Sequence, residues 1–375
     1  MSHPASPRLT IAVIGAGIGG LAAALCLARR GHAVTVYEQA EALTEVGAGL
    51  QIGPNGMQVL ARLGLSETVL AHATLPEAVD MRAAPSGRRV ARVPFGDTAR
   101  ARYGQPYVQL HRADLLRVLA DAVAAAGVLV ELGVRVDADA LPDADLVVGA
   151  DGLRSGVRGR LCPEVRPAFT GQTAWRALVP AAAGRGLGAD RTHLFMGHGA
   201  HLVAYPLRRA TLWNIVAVAE RDVWVEESWA RHTDPAELRA AFSGWPAPVT
   251  GLLGAVEEAY LWGLFAHGPL PRWQDGRAAL LGDACHPMLP FLAQGATMAI
   301  EDAWVLADCL DGAAPDRALA AYEAARKPRT ARVQAAAKRN ARLYHLAPGP
   351  LRAGFHAGLG VLQHGPGGLL RPFDW

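Results

Sequence analysis

Three glycines near the start of the chain have the spacing of a turn that binds a dinucleotide. Gly15, Gly17 and Gly20 lie between an apolar segment and a run of Leu and Ala, and Glu38 ends the next apolar segment. In a strand–turn–helix–strand unit, the first glycine permits a tight turn, the second lets the backbone approach a pyrophosphate, and the third allows close packing. The glutamate can accept hydrogen bonds from ribose hydroxyls. A surface turn is the alternative, but the flanking pattern favours a nucleotide site.

Further polar positions follow predicted strands or begin predicted helices, where they can reach a ligand. They are Asp151, Asp283, Arg112 and the helix start at Gly295, Ala296 and Thr297. Each has an ordinary alternative, because an acid after a strand is frequent in turns and an arginine beside a helix start is often solvated. Their occurrence together with the glycine motif favours binding roles.

The segment 201–205 predicts a strand with one partly polar face. Because side chains alternate along a strand, His201, Val203 and Tyr205 point to one side. Such a face could line a pocket that holds an aromatic ring. A surface imidazole beside a half-buried tyrosine is the alternative, and it stays open from these residues alone.

Two kinds of pattern alternate along the chain and predict the elements that position these residues. An α/β frame is predicted from strands at 11–14, 33–37, 128–130, 134–136, 145–149 and 278–282 and helices at 21–30, 56–63, 115–126 and 295–310. Short alternating strands within 81–93 and 168–266 predict an antiparallel sheet inserted into that frame. The last helix, 316–344, contains Pro328, which we expect to kink it.

The composition argues against several classes of protein. The 375 residues carry 51% hydrophobic residues and a net charge of only +3, without the clustered basic and aromatic residues typical of nucleic-acid binding. No stretch has the length and apolarity of a membrane span, and the first ten residues lack the apolar core of a signal peptide. The four cysteines are scattered without metal-ligand spacing, so we expect free thiols, no metal and a cytoplasmic location.

Taken together, the motifs resemble those of the single-component FAD-dependent aromatic hydroxylases, of which p-hydroxybenzoate hydroxylase is typical. The resemblance covers nearly the whole chain and is carried, in order, by Gly15–Glu38, His111-Arg112, Gly149–Ser155 and Gly282–Gly295. The amino-acid sequence at 173–176, 270–273 and 294–302 is similar to that of salicylate, 3-hydroxybenzoate and 6-hydroxynicotinate hydroxylases. This resemblance implies a Rossmann-type FAD-binding domain interleaved with an antiparallel-sheet substrate domain, followed by C-terminal helices.

The resemblance also implies the order of the domain segments. The FAD-binding domain would comprise residues 1–75, 106–167 and 271–345, the last with the long helix. The substrate domain would comprise residues 76–105 and 168–270, and residues 346–375 would form a C-terminal tail.

Cofactor roles follow from the same resemblance. Gly15, Gly17, Gly20 and Glu38 would bind the adenosine and pyrophosphate part of FAD. Asp283 and Arg112 would reach its ribityl chain, and Asp151 would steady it together with Arg154. The helix start at Gly295, Ala296 and Thr297 would face the N1–C2=O edge of the flavin, where a helix dipole suits the anion of the reduced ring.

Substrate roles are implied as well. Pro290 would lie against the isoalloxazine where oxygen reacts. Gln51 would contact the cofactor and, with Phe291, form the wall of the site, and His286 would brace the loop 282–295 in which it lies. His201 and Tyr205 would contact the substrate ring. Arg176 and Arg208 are candidates to bind a carboxylate, and a surface arginine is the alternative for each.

A base would be useful at such a ring, because phenolate accepts oxygen far better than phenol does. A phenol of pKa about 10 facing a histidine of pKa about 6.5 leaves about 5 kcal/mol uphill for full proton transfer. We therefore expect Tyr205, backbone donors or a water relay to share the charge with His201, or the transfer to be concerted.

The implied function is hydroxylation of a small aromatic, salicylate-like acid. NADH or NADPH would reduce the flavin, and O2 would add to it as a hydroperoxide that oxygenates the ring. One alternative is an FAD monooxygenase of the same fold that acts on a larger or non-aromatic substrate. Others are a NAD-dependent dehydrogenase and a flavoprotein without oxygenase activity. We expect a monomer or homodimer with no nucleic-acid or membrane partner.

Overall fold

Strands and helices account for most of the residues that the structure describes, which are 8–43, 49–84, 86–224 and 231–363 of this computed structural model. The predicted tail 346–375 therefore falls partly outside the described residues. The strands are β1 (Thr10–Ile14), β2 (Ala33–Glu38), β3 (Gly49–Ile52), β4 (Ala78–Ala83), β5 (Arg89–Pro94), β6 (Val108–His111), β7 (Leu129–Leu132), β8 (Leu146–Gly149), β9 (Ala168–Pro180), β10 (Arg191–Met196), β11 (Ala200–Leu207), β12 (Leu212–Glu220), β13 (Arg231–Thr233), β14 (Ala259–Ala266) and β15 (Ala278–Leu280). The helices are α1 (Ile18–Ala28), α2 (Pro54–Arg62), α3 (Ser66–His72), α4 (Gly96–Tyr103), α5 (Arg112–Ala125), α6 (Gly156–Leu161), α7 (Pro235–Ala241), α8 (Ala247–Gly254), α9 (Gly295–Leu310), α10 (Pro315–Tyr344) and α11 (Pro350–Leu362).

A five-stranded sheet in the order β15-β8-β1-β2-β7 forms the nucleotide-binding frame, and its neighbours pair in parallel. Its central strands are almost continuously apolar and buried, as expected when helices cover both faces. The carboxyl ends of neighbouring parallel strands meet at one edge of the sheet. The turns after β1, β8 and β15 therefore bring Gly15, Asp151 and Asp283 to the same edge.

The second large sheet has the order β13-β14-β9-β12-β11-β10-β4-β5. The expectation of an inserted antiparallel region is confirmed for most pairs, but β10 and β4 pair in parallel, so this sheet is mixed. The difference arises because β4 comes from a segment far earlier in the chain, so no hairpin turn joins it to β10 and imposes antiparallel pairing. A short antiparallel pair, β3 with β6, lies outside both large sheets.

One predicted strand is wrong. Residues 134–136 follow β7 but belong to no strand, because Gly133 leaves the extended conformation with a φ of 71°. The segment instead lines a large cavity beside Glu38.

The C-terminal helices contact both sheets, since Tyr322 of α10 donates a hydrogen bond to the Leu280 carbonyl of β15 and α11 packs against β5. Helix α10 continues through Pro328, and the kink that we expect there stays a prediction. Among the described helices, none combines the length and the apolarity needed to cross a membrane.

Candidate active site

Two adjoining cavities collect nearly all of the residues that the sequence singles out. The larger has a volume of about 1140 Å³ and is lined by Gly15, Glu38 and Asp151. The smaller has a volume of about 300 Å³ and is lined by Gln51, His201, Tyr205, Phe291, Gly295 and Ala296. Both are lined by Gly17, Arg112, Arg176, Asp283 and Pro290. Gly20 and Thr297, which are predicted to bind the cofactor, line neither cavity.

The glycine turn after β1 has the geometry that its spacing predicts. Gly15 has a φ of 101°, and a Cβ there would lie 2.6 Å from the carbonyl oxygen of Ala150. A Cβ on Gly20 would lie 1.9 Å from the carbonyl oxygen of Gly15, so only glycine permits helix α1 to start this close. A Cβ on Gly17 would point into open space in the cavity. The backbone at Gly17 is thus bare on the side where a pyrophosphate can approach.

Glu38, at the end of β2, is held in place by two backbone groups. Its Oε2 accepts a hydrogen bond from the Ala16 N–H at 2.8 Å, and its Oε1 accepts one from the Ala40 N–H at 2.9 Å. Each carboxylate oxygen can accept a further hydrogen bond. The carboxylate is therefore oriented at the cavity with capacity left for two hydroxyl donors.

Asp151 has both a structural bond and an unused atom. Its Oδ2 accepts hydrogen bonds from the N–H groups of Gly156 and Val157 at 2.8 and 3.2 Å, which caps α6. Its Oδ1 is buried and has no partner among the described residues. Burial raises the pKa of Asp151, and the bonds to its carboxylate partly oppose that rise. A donor on a bound cofactor would satisfy the orphaned oxygen.

Asp283 and Arg112 lie between the two cavities. Asp283 is open to the cavity but is otherwise surrounded by protein, and the resulting loss of water raises the pKa of its carboxyl. His286 and Arg112 act in the opposite direction. Asp283 therefore offers a hydrogen-bonding carboxyl group at the middle of the combined cavity.

The loop after β15 leads to a helix start at the smaller cavity. Short 3-10 turns at Gly282–Ala284 and Pro290–Leu292 precede α9, which begins at Gly295 as predicted. Gly295 and Ala296 line the cavity with N–H groups that have no partner within the helix. The side chain of Thr297 is buried instead, and its Oγ1 accepts a hydrogen bond from the Gly53 N–H at 3.4 Å. Thr297 thus joins α9 to the start of α2.

Sequence reasoning missed a buried ion network beneath this loop. His286 Nε2 lies 2.5 Å from Asp302 Oδ2, and Arg326 Nε donates to Asp302 Oδ1 at 2.6 Å. Glu301 accepts hydrogen bonds from Arg326 and from Arg329. We call these five residues the flavin-loop network.

The charges of the flavin-loop network compensate one another. Burial by itself would raise the pKa of Asp302, but His286 and Arg326 outweigh burial and hold that pKa at about 2. Cys285, His286 and Asp302 are also close enough to hold a metal ion. Because Arg326 already supplies the positive charge at Asp302, we interpret the cluster as a structural brace, the role expected for His286.

The face of β11 predicted to be partly polar does line the smaller cavity. His201 is 1% exposed, and its ring packs edge-on against Phe291 with 4.8 Å between ring centroids. Gln51 lies within hydrogen-bonding reach of the Tyr205 hydroxyl, and its Oε1 accepts a hydrogen bond from the Tyr107 hydroxyl at 2.5 Å. Burial raises the pKa of Tyr205, which keeps this phenol protonated as a hydrogen-bond donor. The face combines an imidazole and a phenol beside the loop that contains Pro290.

The two candidate carboxylate binders have different surroundings. Arg208 is paired with Asp114, with both donor–acceptor distances at 3.2 Å, and it lines neither cavity. Arg176 lines both cavities, and its guanidinium lies 5.1 Å from the ring centroid of Trp262. The structure therefore leaves Arg176 as the candidate at the site.

Comparisons with known proteins agree with this geometry. A family described as "FAD binding domain" matches residues 8–140 and 137–337. The chain belongs to this FAD-binding family. The flavoprotein is 40% identical over 365 residues to the 3-amino-4-hydroxybenzoate 2-monooxygenase of Streptomyces platensis, covering 93% of this chain and 92% of the relative. It is 38% identical to the 6-hydroxynicotinate 3-monooxygenase of Bordetella bronchiseptica, covering 86% of this chain and 89% of the relative.

A solved structure also resembles the flavoprotein over nearly its full length. A salicylate hydroxylase in complex with its substrate superposes with a TM-score of 0.80 at 28% identity, covering 95% of this chain and 94% of that one. The protein is an FAD-dependent monooxygenase of the aromatic-hydroxylase type, and the predicted fold class is confirmed. The residues present fit the cofactor, because the bare backbone at Gly17 faces the large cavity, which Asp151, with its orphaned Oδ1, also lines.

Proposed function

We propose that the flavoprotein hydroxylates a single-ring aromatic acid that carries a ring hydroxyl, in the smaller cavity between β11 and the start of α9. The observation that carries this proposal is the presence of His201 and Tyr205 on one face of a cavity that also contains Pro290 and Arg176. The substrates in the names of two relatives, 3-amino-4-hydroxybenzoate and 6-hydroxynicotinate, are both hydroxylated single-ring acids.

We assign a specific role to each side chain at the substrate. Arg176 binds the carboxylate, His201 accepts the proton of the ring hydroxyl at Nε2, and Tyr205 donates a hydrogen bond to the ring oxygen. Bound FAD supplies the oxidising chemistry, with NADH or NADPH as the electron source and O2 as the source of the oxygen atom. The N–H groups at the start of α9 stabilise negative charge beside them, as a helix N-terminus does. The remaining lining excludes water through Phe291, Met288 and Val203.

Proton transfer to His201 alone is unfavourable. Burial, followed by the influence of His345, lowers the pKa of His201 well below its usual value. Full transfer from a phenol would therefore cost more than the about 5 kcal/mol that separates an ordinary phenol from an ordinary imidazole. We infer that His201 passes the proton on rather than holding it, and that the hydrogen bond from Tyr205 lowers the cost of the phenolate.

A substrate panel tests this function. Hydroxybenzoates, salicylate and hydroxypyridine acids are incubated with the FAD-loaded enzyme, and NADH and NADPH consumption is measured beside product and peroxide. We expect one subset of hydroxylated acids to stimulate consumption with product formed in proportion, and their methyl esters, which lack the carboxylate, to do so poorly. Coupled turnover only with larger or non-aromatic compounds would favour the alternative monooxygenase.

The matched variant for this panel is Arg176→Gln, which removes the charge proposed to bind the carboxylate. It should raise the KM of the free acid and have little effect on the ester. An equal effect on acid and ester would assign Arg176 to another role.

Location and assembly stay predictions. All four cysteines are free, which is consistent with the cytoplasmic location expected from the sequence. The oligomeric state, which we expect to be a monomer or a homodimer, can be determined from the molar mass measured by light scattering.

A further inference from the structure

The histidine that faces the substrate cavity is one end of a chain of side chains that reaches the surface. His201 Nδ1 lies 2.7 Å from His345 Nε2, and His345 Nδ1 lies 2.8 Å from Glu220 Oε1. The two histidines are 1% and 5% exposed, whereas the side chain of Glu220 is 55% exposed. We call these three residues the His201 path.

The exposed carboxylate determines which nitrogen of each ring carries a proton. A carboxylate only accepts hydrogen bonds, so His345 must donate from Nδ1 to Glu220. Burial lowers the pKa of His345, against the opposing effect of Glu220, and so favours the neutral ring, whose Nε2 has a lone pair. His201 must then donate from Nδ1, which leaves a lone pair on its Nε2. That nitrogen is the one available to a molecule in the cavity.

Backbone hydrogen bonds hold the His201 path in place independently of its side chains. The Gly199 N–H donates to the carbonyl of His345 at 3.2 Å, which fixes the residue after α10. The carbonyl of Gly199 accepts from the Glu220 N–H at 2.9 Å, which fixes the end of β12. A substitution at the exposed Glu220 therefore removes its carboxylate without removing the anchors.

Among the residues that the structure describes, two other titratable side chains act on or contact the histidines of the path. The ring of Tyr344 packs against His201 with 5.5 Å between centroids, and burial raises the pKa of this tyrosine. His198 acts on His345 and opposes its protonation. Neither group replaces Glu220 as the acceptor at the end of the path.

We propose that His345 and Glu220 are positioning residues that keep His201 as a base toward the substrate and carry the substrate proton to solvent. The proposal rests on the proposed function of the same site. The ring hydroxyl gives its proton to His201 Nε2, His201 gives its Nδ1 proton to His345 Nε2, and His345 gives its Nδ1 proton to Glu220. Glu220 releases that proton to water, so the net change is one phenolate in the site, one proton in solvent and the opposite tautomer in both rings.

Proton release on binding provides the test. The oxidised holoenzyme is mixed rapidly with the panel acid of highest coupled turnover, in weakly buffered solution at pH 7 to 8 with a pH-indicator dye. The parent enzyme should release protons as the phenol ionises. Glu220→Gln and His345→Gln should slow this release by about tenfold or more, and the rate of hydroxylation should fall in parallel.

Chemical rescue separates the carboxylate from a merely structural role. Formate should restore fast release in Glu220→Ala, because a small carboxylate can occupy the space of the missing side chain. Glu257→Ala removes a similarly exposed carboxylate from the loop before β14 and should have the parent rate with and without formate. Should His345→Gln fail to fold, the Glu220 variants decide the matter alone.

The outcomes distinguish the two proposals. If His201→Ala hydroxylates at the parent rate, the proposed function of this face is wrong, and the path fails with it. If His201→Ala is impaired but Glu220→Gln releases protons and turns over at the parent rates, only the path is wrong. Absence of proton release from the parent enzyme also overturns the path.

Discussion

Two buried histidines of this flavoprotein are hydrogen-bonded to other side chains in opposite surroundings. His286 contacts Asp302, an acid that is fully buried and compensated by Arg326. His201 contacts a second histidine, and the acid at the end of that chain, Glu220, is largely exposed. One cluster is a closed set of charges, whereas the other connects a cavity to the surface.

The difference shows that a buried histidine acquires its role from what its second nitrogen faces. His286 Nδ1 is buried without a partner among the described residues, and the ring packs against Trp273. His201 belongs to the lining of the substrate cavity. A ring whose free nitrogen meets packed side chains can only brace, and one whose free nitrogen meets a cavity can exchange a proton with a ligand.

The largest effect is expected from a substitution that disrupts the His201 path. His201→Ala should leave FAD content intact and lower hydroxylation by about 100- to 10,000-fold, because a positioned acid–base group is lost. More of the NADH consumed should appear as hydrogen peroxide. Product formed per NADH, with peroxide measured in parallel, checks this. Tyr205→Phe is the milder comparison, since it removes one hydrogen bond, and parent-like coupling in His201→Ala would make the histidine a bystander.

The next largest effect is expected from a substitution in the flavin-loop network. Arg326→Met should lower the free energy of unfolding by about 3–5 kcal/mol, because it leaves two buried carboxylates short of a cation. Urea unfolding of the apoprotein measures this. Arg329→Met is the control and should cost less, since Arg326 still contacts Glu301. Equal losses in the two variants would contradict the role given to Arg326.

Asp283 lies close to the flavin-loop network but faces the cavity, so a substitution there tests whether it serves FAD binding or stability. Asp283→Ala should weaken FAD binding by about 1–3 kcal/mol through lost hydrogen bonds, while the free energy of unfolding of the apoprotein changes little. Fluorescence titration with FAD measures the affinity, and Asp283→Asn, which keeps hydrogen-bonding atoms, should fall between. A large loss of stability with unchanged FAD affinity would place Asp283 with the structural network.

The smallest expected effects are changes in the free energy of unfolding with pH, which should differ between the flavin-loop network and the His201 path. The pKa of Asp302 is lowered from 3.8 to about 2, so its stabilisation of about 2 kcal/mol is present above pH 4 and is lost between pH 4 and 2. The pKa of His201 is lowered from 6.5 by burial, so stability falls as the pH drops below 6.5 and the unfolded chain takes up a proton. Asp302→Asn should flatten the lower window and His201→Asn the upper one, measured by urea unfolding against pH. The same window affected by both variants would argue against separate clusters.

Much of the FAD-binding part of the site was predictable, because its sequence motifs involve residues that are close together in the chain. The glycine spacing predicts a turn in which Cβ atoms at Gly15 and Gly20 would collide with backbone, and the structure has that turn. The start of α9 at Gly295 was also predicted from the sequence. The roles of these residues toward FAD stay predictions, although the cofactor itself is confirmed.

Side-chain contacts between residues far apart in the sequence were not predictable in the same way. Asp302 lies within a segment that carries the family resemblance, but nothing in that segment indicates its contact with Arg326, 24 residues later. His345 ends a long helix, where a histidine is ordinary because it suits the helix dipole. Its contact with His201 spans 144 residues, and no periodicity reports a contact of that range.

The sequence by itself determined that His201 and Tyr205 share a face, since strand alternation is a property of the backbone. It also determined the nucleotide turn, since only glycine tolerates the required approach. Only the tertiary structure decided which ring nitrogen of His201 is free and which acid each histidine meets. Those outcomes depend on how α10, β12 and the loop after β15 pack against one another, and such packing is fixed by the whole fold rather than by neighbouring residues.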